Sequence, residues 1–219
     1  MEIYDLVLFF HLLMLVFWVG TDLGVLVLAK FSQRPRHTMD QRALLLEVAM
    51  LLDIPPRICM VLALPSGAWV AATAGYVDIS PGVMAGIFLF SLFWLGVVVC
   101  SIAKAETPAG ASIKLVERVL LFALGLVMLA TGITLLSSGA APAWLAGKII
   151  AFGLIAGSAE AIDRSFKPGV VAFKAMVAEG STPEREEIMN RSFDRTAYWV
   201  YAVYTLVIFV RFMGTVKPF

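Results

Sequence analysis

The 219-residue chain is too apolar for a soluble domain, since 60% of its residues are hydrophobic and its mean hydropathy is +0.89. Its charges almost cancel, with 17 Lys and Arg against 16 Asp and Glu, so nothing favours a nucleic-acid partner. The sequence contains no P-loop, HExxH or GxSxG motif, which leaves nucleotide-binding, protease and nuclease functions without support. We expect an all-α polytopic membrane protein whose residues 1–219 form one helical bundle.

In chain order, the apolar segments predict about six transmembrane helices, near residues 3–29, 54–74, 83–103, 118–138, 144–163 and 196–214. Glu2 and Asp5 stand where a signal peptide would be basic, so we expect the first segment to stay in the protein. Basic residues concentrate in three connections, at 30–42, 104–118 and 164–195. The positive-inside rule makes these connections cytoplasmic in a bacterial inner membrane and places both termini on the outer, periplasmic side.

Two of these connections are predicted to contain helices. Helical character continues over residues 41–74, but Pro55 and Pro56 interrupt it, because proline lacks an amide hydrogen and restricts the residue before it. We expect a cytoplasmic or interfacial helix at 42–53, followed by the second span. The charged, amphipathic segment at about 164–195 predicts a cytoplasmic hairpin or surface helix.

A histidine lies inside the most hydrophobic segment of the chain, YDLVLFFHLLMLVFWVGTDLGVLVLA. At about 3.6 residues per turn, His11, Leu15, Trp18 and Asp22 share one helical face. Ionisable side chains are costly in hydrocarbon and are functional candidates by default. The structural alternative for His11 is a hydrogen bond to a neighbouring helix.

The cytoplasmic half of the spans contains ionisable residues of both signs. Asp22 lies about 12 Å from the cytoplasmic end of its span, close to the depth of Arg57. We expect these two residues to meet, either as a structural clamp or as a catalytic pair in which Asp22 carries protons. Glu160 and Arg164 have the spacing of an intrahelical ion pair.

The ionisable residues in the outer half of the spans are all basic, and such residues suit a haem pocket. His11 can ligate the metal, Trp18 and other apolar side chains can pack on the porphyrin, and Lys148 and Arg211 can neutralise the propionates. Alternatively, the two cations extend to lipid headgroups. A bis-histidine haem is excluded within one chain, because the other histidine, His37, belongs to a cytoplasmic loop. The sixth ligand would then be a methionine, water or the substrate.

Short motifs resemble a known group of proteins. HLLMLVFWVG, with His11, Trp18 and Gly20 spaced as H-x6-W-x-G, resembles the first helix of the CopD-like and HemJ-like small bacterial membrane proteins. The proline-containing second span and the segment WLAGKI, with Trp144 and Lys148, are also similar to HemJ-like proteins. The resemblance covers the first, second and fifth spans.

HemJ-like proteins bind haem b and oxidise protoporphyrinogen without oxygen, and CopD-like proteins are associated with copper uptake. The resemblance implies that His11 is the proximal haem ligand and that Lys148 lines the pocket. The chain departs from the HemJ pattern in its six spans and in having Glu160 and Asp163 where a histidine closes the fifth span.

We therefore expect a haem-b protein in the lipid bilayer. It would be a membrane oxidoreductase with electron-transfer or porphyrin-oxidising activity, and its substrate would be a porphyrin or a quinone-like molecule. One alternative is a carrier for a metal ion or small molecule, favoured by the proline break and by Asp22 and Arg57. Another is a structural subunit of a respiratory membrane complex. Self-association as a homo-oligomer is left open. Copper is poorly supported, because the methionines are scattered.

The alternation of basic and uncharged connections predicts the sidedness of single cysteines. In a parent variant without Cys59 and Cys100, we expect Ser138→Cys to react with a membrane-impermeant maleimide in cells whose inner membrane is intact. Ser181→Cys should react only after permeabilisation. The reverse labelling pattern would place both termini in the cytoplasm.

Overall fold

The computed structural model describes residues 2–105 and 107–218. Within them the regular elements are seven α-helices and no strand occurs, which confirms the all-α fold class. The helices are α1 (Ile3–Ser32), α2 (Met39–Leu52), α3 (Ile54–Thr73), α4 (Pro81–Ala103), α5 (Pro108–Ser138), α6 (Ala143–Glu179) and α7 (Pro183–Val216).

Local sequence explains where the helices begin. Three of them start with a hydroxyl residue that accepts a hydrogen bond from a backbone amide of the first turn, followed by proline at the first helical position. These pairs are Ser80–Pro81, Thr107–Pro108 and Thr182–Pro183. At the start of α2, Thr38 and Gln41 form a reciprocal capping box. Local sequence therefore stabilises the first turns of these four helices.

In the part of the chain that the structure describes, five helices are long and apolar enough to cross a membrane: α1, α4, α5, α6 and α7. This pattern is that of a multi-pass membrane protein. The predicted second span corresponds to α3, a 20-residue helix that is not one of these five. The predicted break before it is confirmed, since α2 ends at Leu52 and the prolines lie in the first turn of α3.

The long helices form a ring. From α3 onward each helix packs on the next one in the chain, α1 packs on α3, and α7 contacts α1 to close the circle. All six contribute side chains to one central core, among them Trp18, Val61, Trp94, Ile155 and Val203. Successive helices run in opposite directions, which creates two distinct ends.

Aromatic contacts identify the end that contains both chain termini, called here the terminal end. The ring centroids of Tyr4, near the start of α1, and Trp69, near the end of α3, are 6.5 Å apart. Lys217, which follows α7, donates a hydrogen bond to Tyr76. The opposite end, called the α2 end, contains α2 and the extensions of α6 and α7 beyond the predicted spans.

The charged segment at 164–195 is not a separate surface helix. It is a hairpin built from the continuous ends of α6 and α7, and it packs with α2 around a second apolar core that includes Phe173, Met176, Met189 and Phe193. The hairpin form of the prediction is confirmed. Because α6 and α7 are uninterrupted, this extension is rigidly connected to the ring.

A serine from α7 forms hydrogen bonds with the backbone of α6 beside the proline inside that helix. Pro168 cannot donate a helical hydrogen bond, and at the next residue the Gly169 amide donates to Ser192 Oγ over 2.8 Å. The same hydroxyl donates to the Ser165 carbonyl. A Cβ at Gly169 would lie 2.5 Å from the Phe193 ring, so the close approach of α7 requires glycine here.

An arginine of α2 connects the hairpin to α1. Arg42 is 2% exposed and donates through Nε to the Ser32 carbonyl and through both terminal nitrogens to Glu186. This bidentate geometry is the favourable one for an arginine and a carboxylate. Hydrogen bonds from Arg42 and from the Ser181 hydroxyl hold the pKa of Glu186 below its usual value.

We expect Glu186→Gln to lower the free energy of unfolding in detergent by about 2 kcal/mol, because Arg42 would be left buried without a counter-charge. Glu187→Gln is the matched control, since Glu187 pairs with Arg191 on the surface and its side chain is 67% exposed. Because the pKa of Glu186 is lowered by folding, its contribution is complete above the ordinary glutamate pKa of about 4.3 and is lost as the pH falls further. Equal stability of the two variants at neutral pH would contradict the proposed connection.

Candidate functional site

His11 faces α3 at the terminal end of the ring. Its ring lies over Gly67, where an added Cβ would be 3.1 Å from His11 Cε1. His11 Nδ1 is 2.9 Å from the hydroxyl oxygen of Ser66. One hydrogen bond therefore holds the imidazole, and its ring packs on the backbone at Gly67, where the side chain of any other residue would crowd it.

The hydrogen bonds of Ser66 indicate which tautomer a neutral imidazole adopts at His11. Ser66 Oγ also lies 2.6 Å from the Leu62 carbonyl oxygen, which can only accept. The hydroxyl has one hydrogen, so it donates to Leu62 and accepts from His11 Nδ1–H. The lone pair is then on Nε2. No described residue hydrogen-bonds to that nitrogen.

Lys148 and Arg211 lie at the same end and their positive charges reach His11. Lys148 Nζ lies 5.9 Å from the centroid of the Trp144 ring. It also lies where a Cβ of Gly214 would be only 2.7 Å away. Glycine on α7 thus makes room for the ammonium group.

A third cation approaches the same indole. Lys217 Nζ is 5.5 Å from the Trp144 centroid and 4.6 Å from that of Tyr76. Among the described residues no carboxylate lies within ion-pair distance of Lys148, Arg211 or Lys217. Like charges without a counter-charge repel one another, so an anion would stabilise this cluster.

The predicted face of α1 is inward, but its members lie in different surroundings. Trp18 is 8% exposed and belongs to the central core together with Met60 and Trp94, well below the cation cluster. Met14 Sδ lies 4.0 Å from Ser66 Oγ, which makes it the methionine nearest to this hydrogen bond in the structure described. The structure thus brings His11 together with Lys148 and Arg211, and it leaves Trp18 in the core.

The α2 end contains a network of ion pairs centred on Arg57. Its guanidinium lies 2.6 Å from Asp53, 3.3 Å from Glu117 and 3.4 Å from Asp163. The expected ion pair with Asp22 does not form, since Asp22 has no cation within ion-pair distance among the described residues. Three other carboxylates surround Arg57 instead.

Helices α4, α5 and α6 complete the network. Lys114 contacts Asp163 at 2.7 Å and Glu117 at 3.4 Å, while Ser101 donates a hydrogen bond to Glu117. Arg118 lies 2.8 Å from Glu160, which also forms the predicted intrahelical pair with Arg164. Glu117 was missed by the sequence analysis because its segment was assigned to a loop, whereas α5 already begins at Pro108.

The described residues contain no group of three or more His, Cys, Asp or Glu side chains that could hold a metal ion. A bare metal at His11 would therefore lack protein ligands of these types. A porphyrin supplies four nitrogen ligands itself and needs only an axial one.

No protein-family model, curated protein or solved structure matches the chain. The CopD-like and HemJ-like resemblance therefore depends on the short motifs of the first, second and fifth predicted spans alone.

A double-mutant cycle can identify the partner of Arg57. We expect Arg57→Gln and Glu117→Gln each to lower the free energy of unfolding by about 3 kcal/mol, because each leaves a charge uncompensated inside the bundle. The double variant should recover at least about 1 kcal/mol of the summed loss. The matched cycle of Arg57→Gln with Asp22→Asn should be additive within about 0.5 kcal/mol. Stronger coupling to Asp22 than to Glu117 would contradict the network.

Proposed function

We propose that the protein binds haem b through His11 Nε2 in a bacterial inner membrane. It acts there as a membrane oxidoreductase, in electron transfer or in porphyrin oxidation. The observation that carries this proposal is the hydrogen bond from His11 Nδ1 to Ser66, which in a neutral imidazole leaves the lone pair on Nε2. Histidines that ligate metals typically donate their other ring N–H to an acceptor in this way, which fixes both tautomer and orientation.

The electrostatics of the terminal end support an anionic, amphiphilic ligand. Haem b has two propionates and an apolar ring, and Lys148 and Arg211 provide two cations without carboxylate partners close to His11. Trp144 provides an aromatic surface beside Lys148. Trp18 would act through the central core, because it packs with Trp94 away from the cations.

When bound, haem b would supply a one-electron redox couple. His11 would hold the group, Ser66 would keep the imidazole in the orientation and tautomer that ligation needs, and Lys148 and Arg211 would orient the propionates. Asp22 lies eleven residues from His11 on α1, about 16 Å along the helix axis. The residues Asp22 and Arg57, predicted as a catalytic pair, do not pair with each other and would not contact the porphyrin.

The proposal includes α3 as a sixth span with both termini outside. At about 1.5 Å per residue, its 20 residues extend roughly 30 Å, the thickness of a bilayer core. It lies in the ring between α1 and α4, both apolar enough to cross a membrane. The basic residues of the α2 end support a cytoplasmic position for that end.

An absorption spectrum tests the cofactor. Protein produced with ample haem supply should show a Soret band and an α-band after reduction by dithionite. We expect His11→Ala to abolish or shift these bands, and Ser66→Ala to weaken haem retention about tenfold or more, as loss of an outer hydrogen bond typically does.

His37→Ala is the matched control, because His37 lies near Phe31 at the α2 end and should leave the spectrum unchanged. A colourless wild-type protein would contradict the haem proposal and favour the carrier or structural-subunit alternatives. A spectrum that His37→Ala abolishes and His11→Ala leaves unchanged would contradict the assignment of His11 as the haem ligand.

A further inference from the structure

Asp22 is a carboxyl group without a partner inside a candidate membrane span. It lies on the inward face of α1, half-buried, and the described residues provide neither an ion pair nor a hydrogen bond to it. Its neighbour Thr21 differs, since that hydroxyl donates to the Phe17 carbonyl of its own helix. An ionised carboxylate in such surroundings would lose hydration without compensation.

The nearby ion pairs do not need the charge of Asp22. The network contains four cations and four carboxylates, namely Arg57, Lys114, Arg118 and Arg164 with Asp53, Glu117, Glu160 and Asp163. Asp22 is thus a fifth acid beside a neutral set. Its ionisation would give this part of the bundle a net negative charge.

The groups that face Asp22 come from each element packed on α1. Asp53, between α2 and α3, repels an ionised Asp22, while Arg57 on α3 attracts it but already contacts three carboxylates. On α7, Tyr204 interacts electrostatically with Asp22, and its hydroxyl is buried without a hydrogen-bond partner in the described structure. No cation is therefore left over to hold an anionic Asp22.

We infer that Asp22 is a proton-binding site: its carboxyl group holds a proton at neutral pH and exchanges it with water. Binding forms one O–H bond on the carboxylate, and release returns the proton to solvent. Once ionised, Asp22 would compete with Asp53, Glu117 and Asp163 for Arg57, which couples the proton to the packing of α1 on α3. The inference is independent of haem, since no residue of the His11 site contributes to it.

Infrared spectroscopy of the purified protein in detergent tests this inference. We expect a carbonyl band of a protonated carboxylic acid at neutral pH that shifts to lower frequency in D2O and disappears on titration to alkaline pH. Asp22→Asn should remove the band and Asp22→Glu should move it. Asp194→Asn is the matched control and should retain it, because Asp194 is exposed, pairs with Lys30 and lies outside the network.

The wild-type titration needs no variant, so the test does not depend on how well Asp22→Asn folds. Absence of the band from wild-type protein at neutral pH, or a band that persists in Asp22→Asn, would overturn the inference. Either result would leave the haem proposal untouched. Conversely, a colourless protein that shows the band would contradict the haem proposal and support this inference.

Discussion

Neutralisation of charge inside an apolar ring is the constraint on which the rest of this structure depends. An ion transferred from water to hydrocarbon must find an opposite charge or lose its own. At the α2 end Arg57 meets this requirement with carboxylates supplied by three different segments of the chain. The network thereby connects α3, α5 and α6, and it fixes how these helices are rotated about their axes.

The terminal end meets the same constraint differently. Among the described residues Lys148 and Arg211 have no carboxylate partner, and Ser66 accepts from Nδ1 of the imidazole beside them, which leaves Nε2 without a protein hydrogen bond. Two cations and the free Nε2 form the site at which we propose that haem b binds. The two ends thus differ in how charge is balanced: protein groups balance the α2 end, whereas the cations of the terminal end have no carboxylate partner among the described residues.

Composition and periodicity were sufficient to predict the class of fold and the break at Pro55 and Pro56. They could not predict the partner of Arg57, because depth places residues in a layer but leaves the rotation of each helix open. Ser66 gave no signal at all, since a serine in a helix ordinarily bonds its own backbone. The position of Gly67 under the imidazole depends equally on how α1 and α3 meet. Trp18 shared the face of His11 but is too far along α1 to share its site.

The most direct measurement is an experimental structure of protein produced with ample haem supply. We predict density for a porphyrin whose iron is bonded to His11 Nε2, with Ser66 still accepting from Nδ1 and the propionates beside Lys148 and Arg211. A structure in which His11 Nε2 is protonated and hydrogen-bonded to another protein group, with no porphyrin at the terminal end, would contradict the central claim.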